Sequence, residues 1–292
     1  MRVGSLLPVI VVLGGALLAC KRTEAGGAPG VSPEPNVTAP AANAEVTFQR
    51  RAPKAGTRGT VVRTIASKVT MQNQTVRDNS RTEVVYTVKT SDEHRVLKAD
   101  LDVKELYSTS QTGTNAEKKT VSPLSGSVYT VTRSDDGKLS AQDSGGSKVA
   151  SSLVKLITEE FSGIFDKNED TAFLPDRPLK LGEKFVPPND ALVKLFGAKD
   201  DGKTTFDGSE FILKEIGATD VTFTVSTTLT QKFPNGLRLR MKLMGSLVFI
   251  PNGGWATSAS FKGPLTVVDT AGKEKGSGDF TFSFTQAFDG SN

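Results

Sequence analysis

The sequence has few of the residues from which metal sites and most catalytic sites are made. It has one cysteine, one histidine, one tryptophan and three tyrosines in 292 residues. A single cysteine excludes an internal disulfide, so the folded part must stand on apolar burial alone. Zinc binding or histidine-based acid–base catalysis would need more partners than His94 has, and His94 sits beside Asp92 and Glu93 in a turn signal. Charge of either sign is not in large excess: the formal net charge is +4. That is not the profile of a nucleic-acid-binding chain. Long hydrophobic runs are also missing beyond the first 20 residues.

The one apolar run, Leu6 to Ala19, is interrupted by Pro8, Gly14 and Gly15. A spanning helix needs about 20 apolar residues, so residues 1–19 read as a processed signal. With Arg2 ahead of it, Leu17-Leu18-Ala19-Cys20 resembles the lipobox of bacterial lipoproteins. The resemblance implies cleavage after Ala19, a diacylglycerol on the Cys20 sulfur and a lipid anchor in the membrane. It places the chain in the bacterial cell envelope, and Lys21 after the cysteine favours the outer membrane. The alternative is an ordinary secretory signal with an incidental cysteine. Acyl chains bury at about 0.8 kcal/mol per CH2, so two or three hold stably. Residues 20–44 are rich in Ala, Gly, Pro and Thr and lack periodicity. Such a segment cannot offset its ordering entropy, and as a random-coil tether it spans about 25–30 Å.

Residues 45–290 remain for a single β-rich domain, with two small β-rich domains split near 170–200 as the runner-up. The dominant pattern has period two. Phe280, Phe282, Phe284 and Phe288 alternate with Thr281, Ser283 and Thr285. Val221, Phe223 and Val225 alternate likewise, as do Leu237, Leu239, Met241 and Leu243 against Arg238, Arg240 and Lys242. Leu97, Ala99, Leu101 and Val103 alternate against Lys98, Asp100 and Asp102. One wet face and one buried face favour antiparallel pairing. Turn signals at Asp135-Asp136-Gly137, Pro234-Asn235-Gly236 and Pro251-Asn252-Gly253-Gly254 agree.

The helical signal is central. Val149, Leu153, Leu156, Ile157 and Phe161 form one stripe, predicting a helix near 147–162. Asn189-Asp190 opens a second near 190–197, closed by Gly197. Strands segregated from helices predict an α+β fold: a long curved antiparallel sheet, half-barrel-like, with two helices packed on its concave side. This layout resembles the half-barrel of the bacterial lipoprotein carriers, the LolA/LolB-like and mycobacterial LppX/LprG-like proteins. The likeness is one of architecture. It carries over no functional residue beyond Cys20, and the folded part here is longer. Leu174-Pro175-Asp176-Arg177-Pro178-Leu179-Lys180-Leu181-Gly182-Glu183-Lys184-Phe185 resembles a passage of uncharacterised envelope domains and implies no catalysis.

Catalytic strings are present but lack their context. Gly197 to Thr204 fits the phosphate-loop pattern, yet a helix precedes it, a strand follows, and Asp200 and Asp201 repel phosphate. Ser152-Leu-Val-Lys155 matches a serine–lysine pair without its supporting motifs. Asp166 to Asp170 begins like a calcium loop but has Thr171 where glycine is required. No spacing singles out a carboxylate pair. Trp255 reads as a core or rim residue. Between Glu45 and Arg77, Arg50, Arg51, Lys54, Arg58, Arg63, Lys68 and Arg77 face the single acid Glu45. That stretch is either a membrane-facing surface or a solvated edge strand.

The expectation is therefore a membrane-anchored, non-catalytic envelope lipoprotein without cofactor, metal, nucleotide or nucleic acid. It would bind a lipid or other hydrophobic ligand over Val221, Phe223, Leu239, Met241, Phe282 and Phe284. The alternative is a structural or assembly lipoprotein that acts through an envelope protein partner.

Overall fold

The computed structural model describes residues 44–165, 173–196 and 203–289. Cys20, the tether, the calcium-like loop and most of the phosphate-loop string lie outside them.

In chain order the first strands are β1 (Glu45–Val46), β2 (Gln49–Arg50), β3 (Arg58–Met71), β4 (Gln74–Ser91), β5 (Val96–Thr112), β6 (Lys118–Val121), β7 (Ser127–Arg133) and β8 (Leu139–Asp143). Helix α1 (Ser151–Phe165), β9 (Leu179–Lys180), β10 (Lys184–Phe185) and helix α2 (Asn189–Leu195) follow. The chain then forms β11 (Thr204–Ile216), β12 (Val221–Lys232), β13 (Arg238–Ile250), β14 (Asn252–Gly253), β15 (Trp255–Val268) and β16 (Glu274–Asp289). Every described element lies between Glu45 and Asp289, so a chain lacking residues 1–43 keeps all of them.

Twelve strands form one open sheet in the order β10-β11-β12-β13-β15-β16-β3-β4-β5-β7-β8, with β6 beside β5. All of its pairings are antiparallel. It consists of two meanders joined where the last strand, β16, pairs with the first long one, β3, from Arg58↔Asp289 to Met71↔Gly276. The β3–β4 turn has two residues, Gln72 and Asn73, both left-handed at φ 48° and 66°. Such turns match the twist of the flanking strands.

One face of this sheet is covered, and two separate apolar cores share it. The first holds Phe211, Phe223, Phe249, Phe261, Phe282 and Phe284 with α2 and residues 173–179. Phe173 lies 5.2 Å from Phe211 and 5.4 Å from Phe249, and Phe196 lies 5.2 Å from Phe261. The proline-containing passage thus serves as cover: its Leu174 and Leu179 are buried with Phe173. The second core places Ile157, Phe161, Ile164 and Phe165 of α1 against Val84, Tyr86, Leu101, Val103 and Val131.

Three inward-facing glycines run diagonally across the sheet: Gly245 on β13, Gly263 on β15 and Gly278 on β16. Each steps two residues along as it moves one strand over, since Gly245 pairs with Phe261 and Gly263 with Phe280. A methyl group there would lie 1.8 Å from the Ser260 carbonyl oxygen, 1.6 Å from that of Lys242 and 1.7 Å from that of Lys68. The neighbouring backbone therefore crosses the space a side chain would fill, which marks a bend toward the covered face.

The α+β expectation is overturned: the described residues are 62% strand and 9% helix, a mainly β arrangement with two short helices among them. The physical reason is length. The helices have 15 and 7 residues, whereas the long strands reach 18. Helix α1 starts at Ser151 because the preceding segment turns back in a Gln142↔Lys148 bridge. Asn189 ties α2 to the sheet, its Oδ1 accepting the Phe206 amide at 2.8 Å.

Candidate functional site

Reading the covered face across β16, β3, β4 and β5 gives four successive rows. They are Gln286–Val61–Val84–Val103, Phe284–Arg63–Thr82–Leu106, Phe282–Ile65–Ser80–Ser108 and Phe280–Ser67–Asp78–Ser110. The last two continue onto β6 as Thr120 and Lys118. Along those two rows the face changes from phenylalanine to hydroxyl and charge. A cleft of about 420 Å³ opens there, with Ile65 at its apolar side. Asp78, Ser80, Ser108, Ser110, Lys118 and Thr120 line its polar side. Its size falls within the range of small-molecule sites, although most of those are more apolar.

The second row forms one wall of this arrangement. Arg63 Nη2 donates to Thr82 Oγ1 at 3.1 Å and to Glu160 Oε2 of α1 at 2.8 Å. The pair is largely shielded, with side chains 12% and 24% exposed. It fixes α1 over the meander edge and leaves the next two rows to the cleft.

Two groups in the last row are not at ease. The Ser67 hydroxyl is buried and makes no hydrogen bond among the described residues. Opposite it, burial pushes the Asp78 carboxyl above its ordinary range, and a hydrogen bond with Ser110 pulls part of the way back. A buried hydroxyl without a partner costs about 1–3 kcal/mol, and a half-buried carboxyl holds its proton more tightly than an exposed one. Of this row, Asp78 and Ser110 line the cleft, and the Ser110 hydroxyl can donate to or accept from a polar group placed there.

The residues expected to line a ligand lie elsewhere. Val221, Phe223, Leu239, Met241, Phe282 and Phe284 are all buried in the first core. Phe282 belongs to a row that leads into the cleft and Phe284 to the row beside it, while the other four stand on β12 and β13. His94 sits in an exposed turn where Asp92 Oδ1 accepts its amide and that of Arg95. Ser152 and Lys155 are on the exposed side of α1, and Trp255 opens β15 against Phe288. Sequence reasoning missed Ser67, Asp78, Ser80, Ser108 and Ser110. The inward phase Val88, Tyr86, Val84 does continue by twos to Thr82, Ser80 and Asp78.

No protein-family model matches the chain, and no curated protein matches it. Among solved structures it is similar to a lipovitellin described for its lipid–protein interactions, at TM-score 0.39 and 9% identity. That match covers 81% of this chain and 25% of the other, so the chain spans about a quarter of that length. It is also similar to DynF from the dynemicin biosynthesis pathway of Micromonospora chersina, at TM-score 0.19 and 15% identity. There the match covers 89% of this chain and 92% of the other. Likenesses at this level carry no argument about what this chain does.

Proposed function

We propose that the chain is a non-catalytic binding protein of the bacterial cell envelope, held at the membrane through Cys20, which takes an amphipathic ligand in the cleft on β3–β6. The observation that carries this reading is the change of character along two rows of the covered face. Ile65, continuous in its row with the buried Phe282, supplies an apolar end, and Ser80, Asp78, Ser108, Ser110 and Lys118 supply a hydrogen-bonding end. A lipid-like molecule, with a chain on one side and a polar head on the other, matches that order. The lipobox supplies the location, since such ligands are concentrated where an acylated Cys20 would hold the protein.

One observation favours the assembly reading instead. The six core residues named above are packed under α2 and the Phe173 segment, so on that half of the sheet the cover fills the face. The two readings separate in one experiment. Residues 44–292 are purified without detergent, weighed intact by native mass spectrometry and extracted with organic solvent. A stoichiometric amphiphile is expected. A bare protein that stays bare after incubation with envelope lipids would remove the ligand and leave the assembly role.

A further inference from the structure

The outer face of the sheet is charged differently on its two halves. On the β4–β5 half, four cations have an acid of their own, while Lys98 on β5 makes no ion pair among the described residues. Lys89 pairs with Asp100 at 2.7 Å, Arg95 with Asp92 at 2.9 Å, Arg81 with Glu83 and Glu105, and Lys104 with Asp102. From β12 across to β4 the pattern is different. Lys232, Arg238, Arg240, Lys242, Lys262, Lys68 and Arg77 are all exposed on the outer face. None of the seven makes an ion pair among the described residues. The inward positions between them, Leu239, Met241, Phe261 and Ser67, are buried, which fixes the cations outward.

Two pairs in this set are directly opposite like charges, Lys232↔Arg238 and Lys68↔Arg77. Opposed like charges destabilise a sheet, and none of these four cations makes an ion pair among the described residues. β16 brings two acids to the patch, Asp279 opposite Lys68 and Glu274 in the row of Lys232 and Arg238, while β11 beyond its edge bears Asp207 and Glu210. Five strand spacings from β12 to β4 make the patch about 24 Å wide. Exposed Met244 stands in it opposite Lys262, so an apolar side chain projects among the cations.

We propose that this outer face docks on an anionic lipid bilayer. An array of unpaired cations around an exposed methionine suits a surface of phosphate headgroups over hydrocarbon. An anionic leaflet attracts each Lys or Arg near it enough to change affinity about fivefold. A short tether from an acylated Cys20 would keep the face at an effective concentration of the order of millimolar, so weak docking would suffice. That second step rests on the lipid anchor, whereas the docking itself does not.

The test uses residues 44–292, without the anchor, sedimented with two kinds of vesicle. One is an equal mixture of phosphatidylglycerol and phosphatidylcholine; the other is phosphatidylcholine alone. Binding to the mixed vesicles only is expected, weakening as salt rises. The triple variant Arg240→Ser, Lys242→Ser, Lys262→Ser should lose about 100-fold. The charge-matched control Lys89→Ser, Arg95→Ser, Lys104→Ser should lose less than about tenfold. Equal binding to both vesicles, or none to either, overturns the proposal. Equal losses in the two variants overturn it as well, because net charge rather than this face would then be responsible. Circular dichroism of both variants checks that the sheet is intact.

Discussion

Replacing Gly263 with alanine adds one methyl group to a β-strand, a change that elsewhere costs little. Here the new carbon would lie 1.6 Å from the Lys242 carbonyl oxygen, whereas real contacts of this kind stay above 3.0 Å. The backbones of β13 and β15 must therefore separate by about 1.4 Å at that point. A ladder hydrogen bond stretched that far is no longer one. Losing two of them costs about 2 kcal/mol, and the forced displacement of packed strands adds about 1–3 kcal/mol. The expected total is about 3–5 kcal/mol, which lowers the urea midpoint by about 1–2 M. The assay is equilibrium unfolding of residues 44–292, followed by the fluorescence of the single tryptophan, Trp255, at the start of the same strand. Gly145→Ala is the control: it has no positive φ, its nearest atom is Asp143 Oδ1 at 3.3 Å, and it should change stability by under about 0.5 kcal/mol. If Gly263→Ala unfolds within about 0.3 M of the parent, the neighbouring backbone yields freely and the bend is not held by this approach.

Two further outcomes follow from the cleft and its wall. Because the Asp78 carboxyl is raised in the folded state, the native protein holds its proton more tightly than the unfolded chain does. Stability therefore falls as pH rises from the ordinary value of 3.8 through the raised one, and the penalty is complete above it. Asp78→Asn should stabilise at pH 7 and make no difference near pH 3; a constant difference in urea midpoint across that range would refute the assignment. Arg63→Met removes the partner of Glu160 while keeping an apolar stem, and should cost about 2 kcal/mol. In a double-mutant cycle, Glu160→Gln should then cost little in the Arg63→Met background, and full additivity would show that the pair does not hold α1.

The strands were the legible part of this chain, and the reason is one-sided burial. Phe280, Phe282 and Phe284, and Leu239, Met241 and Leu243, show in sequence the alternation that the structure places inward. The fold class was misjudged because the order of elements says nothing about their lengths. The pairing of β16 with β3 was not legible, since no turn joins residues 58–71 to 276–289 and only the finished sheet brings them together. The cleft escaped for two local reasons. Its residues are polar on a buried face, where the pattern predicts solvent. On β5 an irregularity between the Glu83 and Val84 pairings shifts the phase after Val103, so Leu106, Ser108 and Ser110 face inward rather than the residues the alternation projects.

The glycine diagonal has a consequence for how such a sheet finds its alignment. A slip of one residue between strands would turn buried side chains to water, and the hydrophobic pattern forbids it. A slip of two residues keeps every side chain on its own face, and a long alternating strand has little in its pattern to oppose it. Here such a slip would carry Leu243, Phe261 or Phe280 into a place where the next backbone leaves no room even for a methyl group. Gly245 and Gly263 thus act like the teeth of a key, opposing a slip of β13 on β15 in both directions, and Gly278 opposes the slip of β16 on β3 that would bring Phe280 into its place. The closure of the N-terminal meander onto the C-terminal one depends on that alignment.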